Sequence, residues 1–402
     1  MKLFWERDRF EESTSSTALK PSIWEHLNAI VRLLDVTGIY LTTKNNLKKQ
    51  EKLRFGYFLI GFLSHVIWFT FIASEVLFCG VTKFVSSSVV TCMVSTLSIS
   101  LLLWIVMLKN RKQISKLINE SGRMCDSIRG NVEPKLLLCT KIGCFYIFFT
   151  PILASMGCLF SVRNNDDYFY LHCYLFGHHL ESLNYYWKLF LFLIFIVIEN
   201  YVLVLLPNLV TVLLFFLCEH LSCVIKTFVH KCQTVGWCGN YSWNSKSVRM
   251  VQFYGKIKKH FDAMHDLASL PIFLLLCQKF ITLFFTLTVI LSSKKKKILV
   301  QLIEGCFLAI NALISLIVLI VAGSRLKESH GKVRSLLLEM SELSEHNVGS
   351  SVYELLPVLK TFVEKEDMVM TAAGMIPLTR SLFLKIGAAL VTYGVLIVQL
   401  EA

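Results

Sequence analysis

Leu382-Phe383-Leu384-Lys385-Ile386-Gly387-Ala388-Ala389-Leu390-Val391-Thr392-Tyr393-Gly394-Val395-Leu396-Ile397-Val398-Gln399-Leu400 carries a single charged side chain. A bilayer's hydrocarbon core, about 30 Å thick, is crossed by roughly 20 mostly apolar residues in a helix, where every backbone group finds its partner inside the segment. This stretch meets that requirement. So do Phe55 to Phe78, Val89 to Met107, Ile142 to Phe160, Tyr186 to Phe216, Ile272 to Leu291 and Ile298 to Val321. The fold class expected is an all-α membrane protein with seven transmembrane helices. The fourth segment is longer than a span needs, so it is expected to project beyond the bilayer.

Composition agrees. Of 402 residues, 54% are hydrophobic and only 17% charged, against roughly 25% in soluble domains. The formal charge of +13 is not read as a nucleic-acid footprint, because its distribution explains it. Lysine and arginine number 10 before the first span, then 1, 8, 1, 7, 4 and 7 in the successive connections, and none after the last. One side of the membrane thus holds 32 and the other 6. The positive-inside rule puts the amino terminus in the cytoplasm and the carboxyl terminus outside. Lys294 to Lys297 is the exception, a run of four lysines on the expected outer side. The first 54 residues show no signal-peptide core, so the first span is expected to target the chain.

Residues 1–54 are expected as a cytoplasmic segment. Within them Ile23, Trp24, Leu27, Ile30, Val31 and Leu34 recur at helical spacing. That amphipathic helix lies either on the inner membrane surface or against the bundle. Residues 55–321 hold the first six spans, 322–381 a helical cytoplasmic region and 382–402 the last span with a short tail. From Arg325 to His346 and from Ser351 to Met368 apolar residues return every 3.6 positions, with Ser351 and Glu354 placed as a capping box. These segments are expected to pack as one inner layer, burying Leu336, Leu337, Leu355, Leu359 and Phe362.

No phosphate loop, HExxH or GxSxG motif occurs, and the 13 cysteines show no metal-ligand spacing. Most, such as Cys92, Cys144, Cys218, Cys277 and Cys306, sit in apolar runs as small core residues. Cys79, Cys158 and Cys173 leave one outer disulfide open. Adjacent His178 and His179 point apart on a helix and lack a third ligand. No enzyme activity, metal or cofactor is expected.

The lead-in Thr371-Ala372-Ala373-Gly374-Met375-Ile376-Pro377-Leu378-Thr379-Arg380-Ser381-Leu382-Phe383 and the ending Thr392-Tyr393-Gly394-Val395-Leu396-Ile397-Val398-Gln399-Leu400 resemble the arthropod gustatory receptor family. That family closes its last helix with Thr-Tyr, five mostly hydrophobic residues and Gln-Phe, after a Gly, hydrophobic, Arg, Leu-rich lead-in. The sequence departs at Leu400, where the family has Phe, and at Gly394, where a bulkier apolar residue is common. The motif covers the last thirty residues. Elsewhere the resemblance rests on architecture.

The resemblance implies a taste receptor that is itself a ligand-gated cation channel, similar to insect odorant receptors. It is expected in the plasma membrane of a sensory neuron dendrite, as a homo- or heterotetramer with other gustatory receptors. Its last helix would line a central pore, and later cytoplasmic helices would anchor the subunits. Carried over, Gln399 and Leu400 form the outer gate, with Thr392, Val395 and Leu396 lining the pore below. Read from spacing alone, Lys385, Thr392 and Gln399 share one face, since residues seven apart drift by only about 20°. The same stripe would also suit bonds to neighbouring helices.

A small-molecule tastant requires a pocket in the outer half. Glu304 and Gln301 on the sixth span, and His179, Tyr186 and Trp187 at the start of the fourth, are the candidates, because ionisable groups inside a membrane are costly and mark function. An interfacial aromatic belt explains Tyr186 and Trp187 better than a pocket does, whereas pairing with Lys297 or Lys188 explains Glu304 equally. Alternatives are an accessory subunit without its own ligand, a receptor of the opposite orientation coupled to G proteins, and a transporter using Lys188, Glu199 and Glu304.

Overall fold

The computed structural model describes residues 23–39, 41, 56, 58–70, 87–127, 134–162, 184–236, 243–291, 299–346 and 367–401. In chain order the described elements are α1 (Ile23–Val36), α2 (Phe58–Thr70), α3 (Ser87–Ser127), α4 (Pro134–Val162), α5 (Tyr185–Asn200), a widened turn (Tyr201–Leu205), α6 (Leu206–Gly236), α7 (Trp243–Leu291), α8 (Leu299–His346), a small hairpin of β1 (Thr371–Ala372) and β2 (Ile376–Pro377), and α9 (Arg380–Glu401). Six described helices are long and apolar enough to cross a membrane, and the apolar α2 lies inside the first expected span. The all-α, multi-span architecture is therefore the observed one.

Most helices outrun the segments that hydropathy delimits. Instead of ending at Met107, α3 continues to Ser127, and α8 runs without a break from Leu299 to His346. Beyond the apolar stretch the pattern changes from apolar all round to one apolar stripe. On α3 that stripe is Ile114, Leu117 and Ile118, all buried. Leu336 is buried as expected, α3 packs chiefly on α7, and α6 and α7 both pack on α8. Phe145, Phe148, Leu153 and Met156 of α4 stay exposed, as apolar side chains facing lipid do.

For α1 the structure decides between the two readings. Leu27, Ile30 and Leu34 are wholly buried, and the helix packs on α3, α4 and α6. Gly38, at φ 79°, ends it. The Ile39 N–H reaches Leu34 O at 3.0 Å, a bond closing a left-handed cap that glycine adopts without a Cβ penalty. The end of α1 is then pinned, with Trp104 Nε1–H donating to Thr37 O at 2.9 Å and Tyr201 OH to Val36 O at 3.0 Å.

Several expectations fall outside the described residues: Cys79, Cys173, His178, His179, Lys294 to Lys297, residues 351–366 with Leu355, Leu359 and Phe362, and Asn240. The side chains of Cys158, Lys188, Gln301, Glu304, Leu337 and Leu400 fall outside them as well. The eight cysteines that are described are free thiols.

Candidate functional site

The last helix begins where Leu382 N–H bonds Thr379 O at 2.9 Å. One face of α9 is packed: Leu382, Ile386 and Ile397 are buried, and Leu390, Tyr393 and Gly394 are partly so. Tyr393 holds the helix to α7, its ring edge-on to Phe284 at 4.6 Å and its hydroxyl 3.3 Å from Thr288 Oγ1. The opposite face has no cover among the described residues. Lys385, Thr392, Val395, Leu396 and Gln399 all stand exposed on it. Thr392 Oγ1 meets Ala388 O at 2.9 Å, within its own helix. The bland alternative for the polar stripe, bonding to neighbouring helices of the same bundle, is thereby removed for Thr392, and Lys385 has no ion pair among the described residues.

The chain enters α9 through the hairpin. Thr371 pairs with Pro377 and Ala372 with Ile376, and the turn between them places Ala373 at φ 50° and Gly374 at φ 72°. Two consecutive left-handed residues suit the twist of a tight hairpin. Its tip bonds α7, with Ala373 N–H on Ser269 O at 3.1 Å and Gly374 N–H on Ser269 Oγ at 3.2 Å. Met368, Met370, Ala372 and Leu378 are buried beneath it, and Arg380 forms a 2.7 Å ion pair with Glu328 of α8.

A second polar arrangement lies inside the bundle, on four different helices. Lys279 of α7, only 3% exposed, donates from Nζ to Asn208 Oδ1 at 3.2 Å. The same oxygen accepts Ser315 Oγ at 2.9 Å, and Asn208 Nδ2 donates to Asn311 Oδ1 at 2.8 Å. Tyr146 OH donates to that Asn311 oxygen, also at 2.8 Å. Asn208 is thus the hub between Lys279 and α8.

Just before this hub the fourth span changes geometry. Leu206 N–H reaches back five residues to Tyr201 O, a local widening of the kind often found at functional sites. Its cause is Pro207, which has no N–H to give. Two carbonyls of the preceding turn take side-chain donors from other helices instead: Ser100 Oγ on Val202 O at 2.6 Å and Gln278 Nε2 on Leu203 O at 3.4 Å.

Of the pore candidates, Thr392, Val395, Leu396 and Gln399 share one exposed face, whereas the ligand candidates are not brought together among the described residues. Tyr186 and Trp187 are 75% and 60% exposed. Trp187 touches Phe190, at 5.9 Å between rings. Gln301 and Glu304 lie in the first two turns of α8. Sequence reading passed over Asn208, Asn311 and Tyr146, although polar groups within a span are the signal that could have found them.

Long apolar helices joined by helical extensions define a multi-pass helical membrane protein. The sequence matches the family model of the 7tm chemosensory receptors over residues 30–401, and the chain belongs to that family. Its fold is similar to that of the insect olfactory receptor OR5 from Machilis hrabei in complex with eugenol, at TM-score 0.68 and 12% identity, covering 94% of this chain and 98% of that one. A second structure of the same receptor gives TM-score 0.66 at 10% identity, covering 93% of this chain and 97% of that one. Among curated proteins, none matches this sequence.

Proposed function

We propose that this chain is a gustatory receptor acting as a ligand-gated, non-selective cation channel, in which several copies, four by the family resemblance, surround a pore lined by α9. The observation that carries this reading is the uncovered face of α9. Lys385, Thr392 and Gln399 stand on the side away from the subunit's own core, with Val395 and Leu396 beside them. A polar stripe facing lipid is costly. Facing the same stripe of other copies, it lines a water-filled path.

In that arrangement Gln399 and Leu400 form the outer constriction. A ring of leucines closes it by dewetting, and Glu401 beyond it concentrates cations. Lys385, in the second turn of α9, sits near the inner surface, where the helices diverge and its charge is hydrated. The ligand is a small molecule held in the outer half of the subunit, with Gln301 and Glu304 as its polar contacts. Eugenol in the similar olfactory receptor supports a small, partly aromatic ligand as a class. Binding opens the channel only through a preference for the open form.

The test is whole-cell current in cells expressing the chain alone, with sodium as the main external cation, during a panel of sugars and bitter compounds. The expected outcome is a ligand-evoked or constitutive cation current that Gln399→Ala alters. Surface-expressed protein that conducts only beside another family member would replace this reading with that of an accessory subunit. Substrate accumulation without current would replace it with a transporter.

A further inference from the structure

Gly323 of α8 faces the turn that starts the last helix. A methyl group on its Cα would meet Leu378 Cβ at 2.6 Å, Leu378 O at 3.1 Å and Leu378 Cδ1 at 3.3 Å. Only glycine lets the two backbones lie this close. Leu378 is 1% exposed, and its N–H donates to Met370 O at 2.8 Å. Two residues further on, Arg380 is paired with Glu328, more than one turn along α8 from the notch. The hairpin tip on Ser269 holds the same segment from the α7 side. The base of α9 is thus gripped by two helices, while above it the polar grip among the described residues is the Tyr393 contact on Thr288.

We propose that Leu378 seated in the Gly323 notch is the joint that fixes the position of the last helix, so that both are positioning residues for the gate. This rests on the channel reading of α9. Its 22 residues form a rod about 33 Å long at 1.5 Å per residue, and a shift at the base that tilts the rod is carried to the far end. Because packed interfaces deform little, the notch converts motion of α8 into motion of the pore-facing stripe instead of absorbing it.

The test uses the full chain, purified in lipid nanodiscs that leave both faces accessible, with Gln399→Cys as reporter. Its reaction rate with N-ethylmaleimide is read by peptide mass spectrometry, and the exposed native Cys139 on α4 serves as reference. Gly323→Ala is expected to change the rate at position 399 about threefold or more. Adding Leu378→Gly, which removes the clashing Cβ, returns it toward the starting value while Cys139 stays constant, the non-additivity of residues in contact. An unchanged rate in Gly323→Ala overturns the joint, as does a double variant whose change is the product of the two single ones. Should Gly323→Ala fail to fold, Leu378→Gly alone carries the test: a changed rate at 399 with Cys139 constant supports the joint, and constancy of both overturns it. No current is needed for any of these outcomes. A shifted rate in variants whose sodium current is unaltered keeps the joint and removes the gate assignment.

Discussion

At the scale of single residues, Asn208 matters more than the lysine it holds. Its oxygen accepts Lys279 and Ser315, and its amide supplies Asn311. Truncating it leaves a buried amine without its acceptor, at a cost of about 1–3 kcal/mol. Removing the amine instead, with Lys279→Met, leaves Asn208 still bonded to Ser315 and Asn311. Asn208→Ala is therefore expected to lower the thermal midpoint of the purified protein more than Lys279→Met does. The double variant should recover part of the loss, because the stranded amine is gone. Equal losses in the two single variants, measured by loss of the monodisperse peak on heating, would show that the hub is not energetically central. Lys279 was visible in the sequence as a lysine inside a span. Its partners were not, because Asn208, Asn311 and Ser315 lie on other helices and only folding brings them to it.

At the scale of elements, the spans were legible because each needs an unbroken apolar run and little else. Their ends were not. Where α3 leaves the membrane its apolar stripe narrows but the helix does not stop, since Lys109, Arg111 and Lys112 are good helix formers with no Gly or Pro among them. The widened turn at Tyr201–Leu205 escaped for a related reason. Pro207 is plain in the sequence, yet which carbonyls it orphans, and that Ser100 and Gln278 serve them, depends on packing. The lead-in to α9 was legible as a motif but not as a hairpin, because strands of two residues carry no periodicity. For α1 the hydrophobic face was evident and its partners, α3, α4 and α6, were not. Beyond its end Gly61 of α2 lies close, as a Cβ there would stand 2.8 Å from Thr37 O. Gly61→Ala is expected to lift the end of α1 from α2, and limited trypsin cleavage after the exposed Arg32 should speed up several-fold. Cleavage at the parent rate would mean that Trp104 and Tyr201 hold α1 unaided.

At the scale of the whole molecule, orientation governs every functional statement, since the gate, the ligand pocket and the anchor exchange sides if the chain is inverted. The lysine and arginine bias of 32 to 6 is a large asymmetry for a rule that acts through the connections near the spans. Lys294 to Lys297 opposes it, but that run is short and lies between two spans already oriented by their other ends. Short epitope tags at the two termini separate the orientations. The carboxyl-terminal tag is expected to bind antibody on intact cells, and the amino-terminal tag only after permeabilisation. Asn119, within the sequon Asn119-Glu120-Ser121, gives an internal check: it lies on the cytoplasmic extension of α3 in this orientation and carries no glycan. A glycosidase-sensitive mass shift removed by Asn119→Gln would invert the molecule. The constriction proposed at Gln399 would then face the cytoplasm, out of reach of a ligand arriving from outside, and the charge bias would need another cause.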